Sequence, residues 1–147
     1  MDITSFNLLL ADDDPDDRIL FEEALKELPF TSYLKTVSDG EQLMDLLTTT
    51  NTLPDALFLD LNMPRKNGFE CLLEIKEHKQ LRKLRVFIYS TSLNQQVANQ
   101  LYDNGAQHYI RKPGDFPQLK KVIFEALTII SKNDPSDSSK DNFVIEV

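Results

Sequence analysis

The strongest constraint on this chain is a set of short apolar runs that do not alternate with polar residues. FNLLLA at 6–11, ALFL at 56–59 and VFIY at 86–89 are nearly continuous in apolar character. Such runs suit parallel strands covered on both faces, since a half-solvated strand would alternate instead. Weaker strands are expected over 33–37 and 108–110. Each run is followed by a longer segment with helical spacing. Leu20, Phe21, Ala24, Leu25 and Leu28 share one helical face. Asp14 before Pro15 reads as an N-cap followed by proline at the first helical position, and Pro29 as the stop. The Asp39-Gly40 turn leads into Leu43, Met44, Leu46 and Leu47. Phe69, Leu72, Leu73 and Lys76 form the next helical stretch. Val97, Ala98, Leu101 and Tyr102 form another, closed by Gly105. The clearest amphipathic helix carries Leu119, Val122, Ile123, Ala126, Leu127 and Ile130. Five repeats of strand then helix predict an open α/β sheet.

With 147 residues the chain reads as one domain. Residues 1–131 form the expected domain, and 132–147 a polar, flexible tail, because SKNDPSDSSKDN lacks apolar residues. The closing FVIEV does not fit a solvating tail, and strand addition to the body or to a partner would accommodate it. Acids outnumber bases 24 to 16, a net charge of −8, which argues against nucleic acid or an anionic membrane as main partner. The single cysteine, Cys71, rules out an internal disulfide and a cysteine-rich zinc site. No apolar run is long enough to span a bilayer, and MDITSFN lacks the basic start of a signal peptide. A reducing cytoplasm is the expected location.

Ligands of open parallel α/β sheets sit at the carboxyl ends of the strands. There the first strand presents Asp12 and Asp13, the third Asp60, the fourth Ser90 and Thr91, and the fifth Arg111, Lys112 and Pro113. Clustered carboxylates oppose one another's ionisation, and a hard divalent cation such as Mg2+ relieves that cost with oxygen ligands. A carboxylate can also serve as a nucleophile. Phosphoryl transfer needs a metal, a lysine and hydrogen-bond donors around the equatorial oxygens. Asp60 is then the candidate acceptor, with Mg2+, Lys112 and Ser90 neutralising the product. Asp14, Asp16 and Asp17 are expected only to cap the first helix and favour its positive end. His78, His108, Cys71 and Arg111 read as ordinary solvent-facing, packed or strand-end residues.

LLLADDDPDD at 8–17, SDGEQLMDLL at 38–47, ALFLDLNMPRKNG at 56–68, FIYSTS at 87–92 and GAQHYIRKP at 105–113 occur in order. Together they resemble the receiver domain of bacterial two-component response regulators, over about residues 5–131. LLLADDDPDD, DLNMPRKNG and the 66–85 segment look most like the stand-alone regulators that partner phytochrome-type kinases. The resemblance implies a flavodoxin-like (βα)5 fold, a doubly wound parallel sheet of strand order 2-1-3-4-5. It implies phosphorylation of Asp60 by a sensor histidine kinase or histidine phosphotransfer protein. Asp12, Asp13, Asp60 and the Asn62 backbone carbonyl would hold Mg2+, and Lys112 would contact the phosphoryl group. Ser90 stands at the switch hydroxyl position. Tyr109 stands at the aromatic switch position, whose ring turns inward on activation. The Lys112–Pro113 bond is typically cis in that family. Tyr89 and Ser90 depart from the commoner aliphatic–threonine pair.

No output domain is expected after residue 131, so output would be protein contact, including homodimerisation through the 94–131 face, relay, or feedback on the kinase. Two other readings stand beside this one. A haloacid-dehalogenase-type phosphatase uses similar groups but normally places its nucleophile after the first strand. A phosphorylation-independent module on the same fold usually lacks an acid or the lysine.

Overall fold

The computed structural model of the protein describes residues 5–132 and 140–146. Its strands are β1 (Ser5–Ala11), β2 (Thr31–Val37), β3 (Ala56–Leu59), β4 (Val86–Ser90), β5 (His108–Arg111) and β6 (Val144–Ile145). The helices are α1 (Pro15–Lys26), α2 (Gly40–Thr49), α3 (Gly68–Glu77), α4 (Gln95–Asp103) and α5 (Phe116–Lys132). All neighbouring strands pair in parallel, in the order β2-β1-β3-β4-β5-β6. The expected 2-1-3-4-5 order is therefore present, extended by one strand.

Strand side chains divide between two cores with the period of two that a pleat imposes. Phe6, Leu8 and Leu10 of β1, with Phe58, Phe87 and Tyr89, pack under α1 and α5. Leu9, Ala11, Leu59, Val86, Ile88 and Tyr109 face the other way, toward α2, α3 and α4. Both faces of β3 and β4 are fully buried, which is why their sequences show no alternation. The caps follow local chemistry. Asp14 accepts from the backbone of Asp16 and Asp17, and Pro15 opens α1 where no N–H is needed. Asn67 and Glu70 form a reciprocal capping box on α3.

Two expectations are corrected. Over its described part, the tail expected to be flexible packs against the body. Phe143 and Ile145 are each 3% exposed. The Phe143 carbonyl accepts from the Tyr109 amide at 2.9 Å, and Ile145 lies opposite Ile110. The physical reason is that the edge of β5 offers unpaired backbone groups and apolar cover to a segment able to use both. Residues 133–139, also expected to be flexible, lie outside the described residues. The second correction is the Lys112–Pro113 bond, which is trans, like every peptide bond of the described residues. Trans is the favoured form of an X–Pro bond by about 0.5–1 kcal/mol. With it, the Lys112 amide still reaches the Ser90 carbonyl at 2.7 Å.

Candidate functional site

The sheet ladder continues past the strand ends and carries the polar side chains with it. The Asp12 amide donates to the Val37 carbonyl at 3.1 Å, and the Asp60 amide to the Ala11 carbonyl at 2.9 Å. These bonds fix Asp12 and Asp60 side by side at the carboxyl edge. Asp12 is wholly buried, Asp60 is 6% exposed, and Asp13 is open to solvent. One carboxylate oxygen from each of the three lies within 4.8 Å of the others. All-oxygen donors, two buried and one wet, fit a hard divalent cation that keeps part of its water shell. Asn62 follows on the β3–α3 loop, and its amide donates to Asp60 Oδ1 at 3.3 Å.

Lys112 reaches into the same cluster with a side chain only 8% exposed. Its Nζ donates to Asp12 Oδ2 at 2.8 Å and to Asp17 Oδ2 at 2.9 Å, and stands 3.9 Å from Asp60 Oδ2. It also lies 4.8 Å from the centroid of the Tyr89 ring, within reach of a cation–π attraction. Burial alone would lower the Lys112 pKa, but its hydrogen bonds to Asp12 and Asp17 outweigh it and raise the value. Burial, opposed by Lys112 and reinforced by Asp12, pushes the Asp60 pKa up to about 7. Its carboxylate is thus left short of compensating charge.

The helix-cap reading of the acidic run holds for Asp14 and misses Asp17. Asp17 stands in the first turn of α1 and turns its carboxylate to Lys112, 95 residues away in sequence. Sequence reasoning had no local signal for this, because a first-turn aspartate is already explained by the helix dipole.

Ser90 is buried, and its Oγ has no hydrogen-bond partner among the described residues. The Tyr109 ring is 1% exposed and lies inward, its hydroxyl donating to the Ser92 carbonyl. Beside it a cleft of about 370 Å³ is lined by Asn62, Phe69, Ser92, Val97, Gln100 and Tyr109, among others. On the opposite side the β3–α3 loop is tightly held. A Cβ on Gly40 would lie 2.1 Å from the Lys66 carbonyl oxygen, and one on Gly68 would lie 2.2 Å from that of Asp60. Arg65, in the left-handed region at φ 69°, pairs with Asp39 and Glu41.

The sequence pattern of the response regulator receiver domain matches residues 8–124. The chain belongs to that family. It is 31% identical over 124 residues to the probable methanogenesis regulatory protein FilR2 of Methanothrix harundinacea, covering 82% of this chain and 80% of that protein. It is 30% identical over 121 residues to the response regulator Rcp1 of Synechocystis sp., covering 79% of this chain and 82% of that one. The phosphorylated cyanobacterial phytochrome response regulator RcpA superposes with a TM-score of 0.81 at 30% identity, over 88% of this chain and 96% of RcpA. The Mn2+-bound form of Rcp1 superposes with a TM-score of 0.78 at 27% identity, with the same coverages. The receiver fold and its acidic cluster fit divalent-metal binding, as is typical of the family. Receiver domains in general accept phosphate from histidine kinases and act as signalling switches. No helix among the described residues is long and apolar enough to cross a membrane.

Proposed function

We propose that this receiver domain is the phospho-accepting switch of a cytoplasmic two-component system, acting as a stand-alone regulator, with Asp60 as acceptor. The observation that carries the reading is the setting of Asp60. It is a buried carboxylate beside Asp12 and Asp13, with a lysine ammonium 3.9 Å away. An Asp60 oxygen attacks the phosphorus of a phosphohistidine on a sensor kinase or phosphotransfer protein. An O–P bond forms, the N–P bond breaks, and the leaving imidazole keeps the electron pair and takes up a proton. Asp12, Asp13, Asp60 and the Asn62 carbonyl would hold Mg2+, which when bound offsets charge on the phosphoryl oxygens. Lys112 supplies a second positive charge, and the Ser90 hydroxyl, buried with no hydrogen-bond partner among the described residues, a hydrogen-bond donor. No turnover of an external substrate is involved, and the domain assists only its own phosphorylation and dephosphorylation.

The added charge draws Ser90 toward the phosphoryl group and stabilises the inward Tyr109 ring, shifting an existing equilibrium. The readout is the 94–131 surface, where a downstream protein or a second copy of the chain would dock, with β6 covering the edge of β5. The test is intact-mass measurement after incubation with acetyl phosphate and Mg2+, beside Asp60→Asn. A gain of one phosphoryl group in the unmodified sequence alone is the expected result. Equal labelling of Asp60→Asn would overturn the assignment.

A further inference from the structure

Lys112 has two jobs under the reading just given, and they conflict. Its ammonium must stay beside Asp60 to meet a phosphoryl group. Yet an ammonium paired directly with Asp12 and Asp60 occupies two of the oxygens a divalent cation needs. The observed geometry divides its bonds. One goes to Asp12 at 2.8 Å, one goes outside the metal cluster to Asp17 at 2.9 Å, and Asp60 is left at 3.9 Å. Asp17 is not among the three clustered carboxylates. It sits on α1, whose first turn is fixed by the Asp14 cap and the adjoining Pro15. The face of the Tyr89 ring closes the seat from another side.

We infer that Asp17 is a positioning residue that draws Lys112 away from the metal-binding carboxylates. It acts through Lys112 and touches neither metal nor phosphoryl group. The inference rests on the proposed function, because it needs both the metal and the lysine at this edge. Without the Asp17 carboxylate, the ammonium loses one of its two charge-assisted bonds. The nearest replacement is Asp60. A cation entering the site would then have to break two direct lysine–carboxylate hydrogen bonds to the cluster instead of one.

The test is a double-mutant cycle on Mn2+ affinity, with free Mn2+ counted by electron paramagnetic resonance, in the full chain. The four proteins are the unmodified sequence, Asp17→Asn, Lys112→Met and the double variant. The expected result is that Asp17→Asn weakens Mn2+ binding roughly three- to tenfold, the scale of a lost charge-assisted bond after partial replacement. Lys112→Met tightens it, and in that background Asp17→Asn has less than about a twofold effect on binding. Equal weakening in both backgrounds would show simple loss of a nearby negative charge and overturn the inference. So would unchanged or tighter binding in the single variant. Circular dichroism establishes that each variant is folded, and Asp17→Ser replaces Asp17→Asn if the latter is not. Phosphoryl gain from acetyl phosphate, measured by mass on the unmodified protein, judges the proposed function separately. Its failure with the Mn2+ cycle intact would remove the acceptor assignment and leave the Asp17 role standing.

Discussion

Replacing Phe143 by alanine tests whether β6 belongs to the cooperative fold. The ring is 3% exposed and meets Tyr102 edge to face, with centroids 5.3 Å apart. Burying a phenylalanine side chain is worth about 1.5–3 kcal/mol. An edge-to-face aromatic pair adds about 0.5–1.5 kcal/mol. The expected loss is therefore about 2–4.5 kcal/mol, provided that β6 stays docked. It has a ceiling, because the segment can detach and the rest of the domain keeps its own two cores. Once detached, further damage to β6 costs nothing. Phe143→Ala with Ile145→Ala should thus be no worse than deletion of 140–147, and less than the sum of the singles. Urea unfolding followed by circular dichroism at 222 nm measures these losses, since the chain has no tryptophan. Hydrogen exchange supplies a local readout. The Tyr109 amide is held by the Phe143 carbonyl, so deletion should release its protection while the β3 and β4 amides keep theirs. A Phe143→Ala loss below about 0.5 kcal/mol, the range of ordinary surface substitutions, with Tyr109 still protected after deletion, would refute the reasoning.

Gly68→Ala would drive a Cβ to 2.2 Å from the Asp60 carbonyl. The resulting shift should cost about 1–3 kcal/mol in urea unfolding and slow phosphoryl uptake from acetyl phosphate. Asp14→Ala removes the acceptor for two first-turn amides and should cost about 1 kcal/mol by the same unfolding assay, with phosphoryl uptake retained. Cys71 is buried, and burial first of all pushes its thiol pKa up to about 11. Iodoacetamide at pH 8 should leave it intact in the native protein and alkylate it in urea. Because the folded thiol holds its proton more tightly, its contribution to stability is complete below the unfolded thiol's pKa. That contribution falls away as pH rises toward 11, which urea titrations at pH 8 and pH 10 would reveal.

The parts of the fold visible in the sequence are those set by local pattern. ALFL and VFIY announce strands buried on both faces, and Asp12, Asp60, Ser90 and Lys112 follow strand ends directly, so the topology alone gathers them. Asp17 escaped because its bond to Lys112 spans most of the chain, while a helix start explains it adequately. The strand Val144–Ile145 was legible only as one of two readings, strand addition by FVIEV to the body or to a partner, beside a flexible tail. It is two residues long, follows a polar stretch, and depends on the free edge of β5 to become a strand at all. The trans bond before Pro113 shows the limit of resemblance, since the motif raised an expectation that the backbone here does not follow.

The packing around the β3–α3 loop gives the domain a stiff side and a compliant side. Toward α2, the loop is pressed against Gly40, tied by Arg65 to Asp39 and Glu41, and backed by Gly68 with no room for a methyl group. Toward α4 it borders a cleft of about 370 Å³ that Tyr109 and Ser92 share. Close-packed interiors transmit displacement, whereas open space absorbs it as side-chain rearrangement. Under the proposed function, a displacement starting at Asp60 is passed on by the close-packed α2 side and taken up by side-chain rearrangement on the α4 side. The loop thus joins Asp60 to α2 through rigid contact and faces α4 and β5 across a cleft lined by Tyr109 and Ser92.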